Sequence, residues 1–190
     1  MITYREVDKT FFAQYDKISM NVFVEKEFIV KKVNNGLGGF LLNEEPVTPY
    51  IKDLSQYEVA MDYEKHFNID NWQFFMAFDG VKPVGGMTLV CNAPDVNMLD
   101  GRNDLCILWD IRVQDEYKQS GIGQNLFNLG VEWAQENGLK QMKIECQNNN
   151  VPACKFYHKQ GAILSKIDEY AYYGDEEIMN EVQLIWYLDL

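Results

Sequence analysis

Soft-metal chemistry has little to work with in this sequence. Its 190 residues include only two histidines, and none of its four cysteines, Cys91, Cys106, Cys146 and Cys154, forms a CxxC pair. That argues against a zinc site, so no metal is expected. Reduced thiols in a cytoplasmic protein are the simple reading. Basic residues are also scarce: 17 Lys and Arg stand against 29 Asp and Glu, for a formal net charge of −12. Nucleic-acid binders draw most of their affinity from basic surface, so no nucleic-acid partner is expected. The charge favours a cationic partner, although acidity also serves solubility. No apolar run approaches the ~20 residues that span a bilayer, so no membrane partner is expected. Met1 to Glu6 lacks the basic start and apolar run of a signal peptide. There is no GxxxxGK[ST] phosphate loop. Internal repeats and low-complexity tracts are absent as well.

What is present is material for a core. Hydrophobic residues make up 47% and aromatics 14%, which suits one folded domain. Ile2 to Val7 alternates apolar and polar like a strand. Lys9 to Tyr15 reads as a short helix and Phe23 to Val33 as a strand. Asn34 to Gly39 is a loop rich in residues that tolerate positive φ. Phe40 to Asp53 carries Pro46 and Pro49 and reads as extended. Leu54 to Phe67 is expected to hold a helical turn or two. Trp72 to Phe78 and Val84 to Cys91 flank Asp79-Gly80, a strong hairpin signal. Ile163 to Tyr173 and Val182 to Leu190 read as closing strands paired antiparallel. Antiparallel strands, one β-α-β unit and two closing strands predict an α+β single domain.

Leu105 to Ala162 is the stretch around which the chain is organised. Leu105 to Val113 alternates with period two, predicting one fully apolar face and placing Asp110 and Arg112 together on the other. Lys118-Gln-Ser-Gly-Ile-Gly123 is a glycine-bearing turn. A helix is expected to follow to about Asn137, with Ile122, Leu126, Leu129 and Trp133 as its apolar stripe. Gly121 and Gly123 let a ligand approach the backbone. The first helical turn offers N–H groups without intrahelical partners, which suits a phosphate. The same glycines would also serve plain strand–helix packing. A dinucleotide fingerprint needs a third glycine where Leu126 stands. A strand at Gln141 to Gln147 and a helix from Asn148 onward complete the unit.

The turn and the later Asn150-Val-Pro-Ala153-Cys-Lys-Phe156-Tyr157, with Gly161-Ala162 beyond, resemble the two signatures of the GNAT family of acetyl-CoA-dependent N-acetyltransferases. Lys118 replaces the family's Arg or Gln, supplying charge without a planar fork, and Ala162 replaces a usual Phe. Ile144 to His158 and Leu184 to Leu188 look like the equivalent stretches of streptothricin acetyltransferases. The resemblance covers residues 105–190 and fades before residue 70.

It implies a single GNAT-type domain over residues 1–190. A mixed, mostly antiparallel central sheet would be flanked by helices, with a V-shaped splay between strands 105–113 and 141–147. The acetyl-CoA core would be 105–162, and residues 1–70 would form the substrate side. The pantetheine arm would pair with the strand at Ile111, Arg112 and Val113. Lys118, Gln119, Ser120, Gly121, Ile122, Gly123 and Gln124 would hold the pyrophosphate. Asn150, Ala153 and Phe156 would complete the cofactor contacts.

Acetyl transfer by direct amine attack poses two proton problems, at the ammonium and at the leaving thiolate. The resemblance makes Tyr157 the expected general acid, since a phenol holds its proton at neutral pH. Without it, Tyr157 reads as a packing residue. Asp110 and Glu145 are both candidates for the base, or simple partners of Arg112 and Lys143 respectively. An acyl-cysteine route through Cys146 or Cys154 lacks an activating histidine. Asp95, Asp100, Asp104, Glu176, Tyr170, Tyr172 and Tyr173 are candidate acceptor contacts for a small cationic amine such as a streptothricin. A polyamine or a protein N-terminus is the alternative acceptor, and a non-catalytic acetyl-CoA sensor is the alternative of another class. The chain would be a monomer or a homodimer.

Overall fold

The computed structural model describes residues 1–190. Its strands are β1 (Ile2–Val7), β2 (Asn21–Lys32), β3 (Phe40–Asp53), β4 (Trp72–Asp79), β5 (Lys82–Cys91), β6 (Leu105–Val113), β7 (Gln141–Gln147), β8 (Ile163–Asp168) and β9 (Gln183–Asp189). The helices are α1 (Phe12–Tyr15), α2 (Tyr63–His66), α3 (Ile122–Glu136) and α4 (Val151–Lys159). The class is α+β, with a mixed sheet of seven strands and a separate two-stranded sheet of β2 and β3. None of the helices is long and apolar enough to cross a membrane.

The chain condenses into two compact units, with β7 contributing to both. The first comprises residues 1–21, 53–144 and 189–190. Its strand order is β1-β4-β5-β6-β7. The first three pairings are antiparallel, and β6 runs parallel to β7. The hairpin marked by Asp79-Gly80 does form between β4 and β5, but its two turn residues are Gly80, at φ +59, and Val81, because Asp79 closes β4 opposite Lys82.

Alternate residues of β5 face different partners. A Cβ on Gly85 would lie 2.7 Å from Ile122 and 3.0 Å from Leu126, so the missing side chain lets α3 settle on the sheet. Gly130 of α3 sits over Met87 and Leu89 in the same way. The buried residues of α3 are Ile122, Leu126, Phe127, Gly130 and Ala134. Leu129 and Trp133, expected in its stripe, are only half-buried. The small residues take the centre because they permit closer approach.

On the other face, a Cβ on Gly86 would lie 2.5 Å from the Tyr15 ring. Tyr15 is fully buried, so its ring cannot yield. Gly86→Ala is expected to destabilise the fold by about 1–3 kcal/mol through overpacking. Gly130→Ala should cost much less, because its nearest contact at 2.5 Å is the flexible Met87 terminus. Urea unfolding of the two variants checks the order, and equal losses would contradict it.

The predicted alternation along β6 is broken. Thr88 pairs with Asp110, yet Leu89 pairs with Leu108, so Trp109 is an extra residue bulged out of the ladder. Cross-strand partners share a face. Ile111 and Val113, opposite Met87 and Gly85, therefore lie on the α3 side, as does Leu108 opposite Leu89. Asp110 and Arg112 lie on the Tyr15 side together with Ile107. No single apolar face runs the length of the strand, because the bulge switches the sense of alternation.

The second unit comprises residues 22–52 and 145–188. Its β8 and β9 pair antiparallel, as expected. Asn148 fastens two segments here. It exchanges bonds with Phe28, accepting from its N–H at 3.0 Å and donating to its carbonyl at 3.1 Å. Its side chain also accepts from Val182 N–H at 2.8 Å. The strand expected to reach Tyr173 ends at Asp168. The Asp168 carboxylate accepts from the Tyr170 N–H at 3.0 Å, an Asx turn that competes with continued extension. Tyr170, Tyr172 and Tyr173 are turn residues, not strand residues.

Candidate active site

The parallel ladder between β6 and β7 covers Leu105–Leu108 against Gln141–Ile144 and then stops. Beyond it, β6 keeps a strand partner on one edge only, with Thr88 to Gly85 opposite Asp110 to Val113. The other edge of residues 109–113 has backbone groups to offer. That edge leads to the start of α3, where a Cβ on Gly123 would lie 3.6 Å from the Val113 side chain.

The α3 N-terminus is built by the Gln119–Gly123 turn. Gln119 and Gly121 both take left-handed φ, at +63 and +89. The N-cap is Gly121, and no side chain caps the helix. Nothing lies within 4 Å of where a Gly121 Cβ would be. Residues 118–121 are solvent-exposed. Open, uncapped N–H donors at the positive end of a fifteen-residue helix fit a pyrophosphate. Lys118 is engaged elsewhere: its ammonium pairs with Asp115 at 2.6 Å and donates to the Asn21 carbonyl at 2.8 Å. The backbone donors of this turn are therefore more open to an anion than the lysine is.

Asp110 and Arg112 meet, as their spacing suggested. Arg112 Nε donates to Asp110 Oδ2 at 2.7 Å, and Tyr15 donates its hydroxyl to the same oxygen at 2.8 Å. The Tyr15 hydroxyl also lies 3.0 Å from Thr88 Oγ1. The guanidinium stacks over the Tyr15 ring at 4.6 Å and approaches Asp16 at 3.8 Å. Burial raises the Tyr15 pKa, and the Asp110 charge raises it further. Arg112 is 5% exposed, so toward a cofactor it presents its backbone, not its charge.

A carboxylate from the motif-free N-terminal region joins this group. Glu58 Oε2 accepts the indole N–H of Trp109, the bulged residue, at 2.7 Å. Trp109 packs on Trp72, with centroids 4.8 Å apart, and on Phe67 at 5.2 Å. Burial pushes the Glu58 pKa above 4.5, Asp110 adds to the rise, and the Trp109 bond and Arg112 oppose it. Neither Glu58 nor Tyr15 carries a local sequence signal. The bulge that brings Trp109 to Glu58 is a product of strand pairing.

In the second unit, Asn150 caps α4, accepting from Ala153 N–H at 3.3 Å. Tyr157 is 6% exposed. Its ring meets that of Phe156 edge-on at 5.6 Å. Glu145 accepts the Tyr172 hydroxyl at 2.7 Å, and burial followed by the Glu145 charge raises the Tyr172 pKa. Cys146 and Cys154 are buried, with sulfurs 3.3 Å apart. The Cys154 hydrogen bond and burial raise the Cys146 pKa well above its ordinary value, which suits a packed thiol and not a nucleophile.

The supposed pairing of Glu145 with Lys143 gives way to other contacts. Lys143 donates to Asp100 and to the Met98 carbonyl, both at 2.8 Å. Among the other acidic acceptor candidates, Asp104 binds Arg102 at 2.9 Å and Asp95 accepts from Asn68 N–H at 2.8 Å.

Residues 40–162 match the acetyltransferase (GNAT) family. A streptothricin acetyltransferase of Escherichia coli is 26% identical over 175 residues, covering 90% of this chain and 91% of that protein. A Bacillus anthracis (strain Ames) protein assigned as a streptothricin acetyltransferase was solved in complex with acetyl coenzyme A. It superposes with a TM-score of 0.78 at 26% identity, covering 100% of both chains. A nourseothricin acetyltransferase shares the fold with the same TM-score, at 23% identity, covering 99% of this chain and 98% of that one. With the family matched over residues 40–162 and an acetyl-CoA-bound relative of the same fold, this chain is an acetyl-CoA-dependent N-acetyltransferase and belongs to the GNAT family.

Proposed function

We propose that this enzyme acetylates a primary amine of a small cationic substrate of the streptothricin type, by direct attack in a ternary complex. The observation that carries the cofactor side is the end of the β6–β7 ladder beside an uncapped, glycine-led helix. The acceptor class rests on the streptothricin acetyltransferase relatives and on the net charge of −12, which draws in cations.

Acetyl-CoA supplies the acetyl group as a thioester. In this reading Ile111 and Val113 offer backbone groups to the amides of its pantetheine arm, as an added strand would. The N–H groups from Gln119 to Gln124 hold the pyrophosphate. Asn150, Ala153 and Phe156 contribute from α4. Tyr157 delivers a proton to the departing thiolate.

The test is release of free thiol from acetyl-CoA with streptothricin, run beside spermidine and a peptide panel. Turnover with streptothricin and little with the others is expected. Turnover with spermidine or peptides alone would keep the chemistry and reject the acceptor. Acetyl-CoA binding with no turnover on any amine would favour a cofactor sensor.

A further inference from the structure

We propose that Glu58 receives the ammonium group of the acceptor and takes its proton, and that Trp109 is the positioning residue that holds Glu58 for this task. The inference rests on the N-acetylation reading above and assigns its base.

Three observations support it. The first is location. Trp109 directly follows Leu108, the last residue of β6 paired to β7. Its indole reaches Glu58 because the bulge takes it out of the β5 ladder. Glu58 is thus tied to the point where the free edge of β6 begins. The second is surroundings. Trp109 and Phe67 are half-buried rings packed edge to face, and an aromatic wall beside a carboxylate suits an ammonium ion.

The third is availability. Asp110 already accepts from both Arg112 and Tyr15 on one oxygen, and its side chain is 9% exposed. With that oxygen held by a buried guanidinium and a buried phenol, Asp110 is poorly placed to meet an incoming ammonium. Glu58 has a single neutral donor, the indole, on Oε2. The charged or titratable groups that act on Glu58 are Asp110 and Arg112 of β6, and Tyr63 of α2 lies in the same field. Burial and Asp110 favour its protonated form, which gives it more appetite for a proton than an exposed carboxylate.

The step balances as follows. A proton passes from the ammonium nitrogen to Glu58, and the freed lone pair attacks the thioester carbonyl. The C–S bond breaks as the amide forms. The thiolate leaves as thiol with the proton of Tyr157, and the nitrogen, which still carries one surplus proton after its attack, gives that proton back to the Tyr157 phenolate to leave the neutral amide. Glu58 then loses its proton to solvent, so one proton is released per turnover.

The test is the pH dependence of kcat/KM for Glu58→Gln, Trp109→Phe and Asp110→Asn beside the unmodified enzyme, with acetyl-CoA affinity measured in parallel. Glu58→Gln is expected to lower kcat/KM at pH 7 about 100-fold or more while acetyl-CoA Kd holds. Its profile should change shape too. With the base present, rate plateaus between the Glu58 pKa and that of the amine. Without it only free amine reacts, so rate climbs about tenfold per pH unit toward the amine pKa of about 10. Trp109→Phe removes a bond that lowers the Glu58 pKa, so the acid limb should move to higher pH. Asp110→Asn should retain the limb and move it to lower pH, because the Asp110 charge is one of the causes that raise the Glu58 pKa.

A Glu58→Gln enzyme with unchanged rate and profile would overturn the proposal and leave N-acetylation standing. So would loss of the limb in Asp110→Asn alone. Absence of turnover by the unmodified enzyme with every amine would overturn the N-acetylation reading, and this assignment with it.

Discussion

Tyr157→Phe is expected to lower kcat by about 100- to 1,000-fold while leaving acetyl-CoA affinity nearly unchanged. The change removes one oxygen and keeps the ring, so the edge-on contact with Phe156 survives and α4 should fold as before. The expected loss lies in proton delivery. General acid catalysis contributes on the order of 10²–10⁴ in rate, and solvent supplies a poor substitute at a residue that is 6% exposed. The deficit should depend on the leaving group. A thioester of a more acidic thiol needs less help from an acid, so the variant should lose much less with it than with acetyl-CoA. Stopped-flow thiol release with both donors measures this. An equal loss with the two donors would make Tyr157 a packing residue, the reading its sequence position allows without the family signature.

Local signals were enough for most elements and for the glycine-led turn that opens α3. Asp79-Gly80 marked a hairpin because a two-residue turn needs a residue that takes positive φ, which Gly80 supplies one place along, in the Gly80-Val81 turn. The glycine turn announced the start of α3 because its φ values exclude most side chains. Sites built from one short segment can be read this way. The buried polar group around the proposed base is assembled from separated segments: Tyr15 from α1, Glu58 from a connection, and Asp110 and Arg112 from β6. Nothing near Glu58 in sequence distinguishes it from the chain's other acids. The bulge at Trp109 is set by pairing with β5, so period-two counting along β6 alone put Asp110 and Arg112 together correctly but assigned Ile107 to the wrong face. Asp168 ended a strand that hydrophobicity would have prolonged, through one side-chain bond to the Tyr170 N–H. The stripe of α3 misled for a related reason. Large side chains were taken as the buried ones, whereas Gly130 and Ala134 are buried because they are small.

Arg112→Met is expected to destabilise the first unit by about 3–5 kcal/mol, the scale for removing one partner of a buried ion pair. Domains typically have only about 5–15 kcal/mol in total, so the variant should approach unfolding at moderate temperature. The cause is what remains behind. The Arg112 side chain is 3% exposed and that of Asp110 is 9%. Without the guanidinium, Asp110 keeps only the Tyr15 hydroxyl as a donor, and Tyr15 loses the cation stacked on its ring. Burial itself works against the Arg112 charge, and it is Asp110, with Tyr15 and Tyr63, that holds the pKa above the ordinary value. The pair is therefore sustained by its members and not by solvent. It follows that removing both charges should cost less than removing one. Arg112→Met with Asp110→Asn leaves a neutral amide that still accepts from Tyr15, and its urea midpoint should recover much of what Arg112→Met loses, with the slope unchanged. A double variant no more stable than Arg112→Met would show that the guanidinium contributes through packing on Tyr15, with the charge of Asp110 incidental.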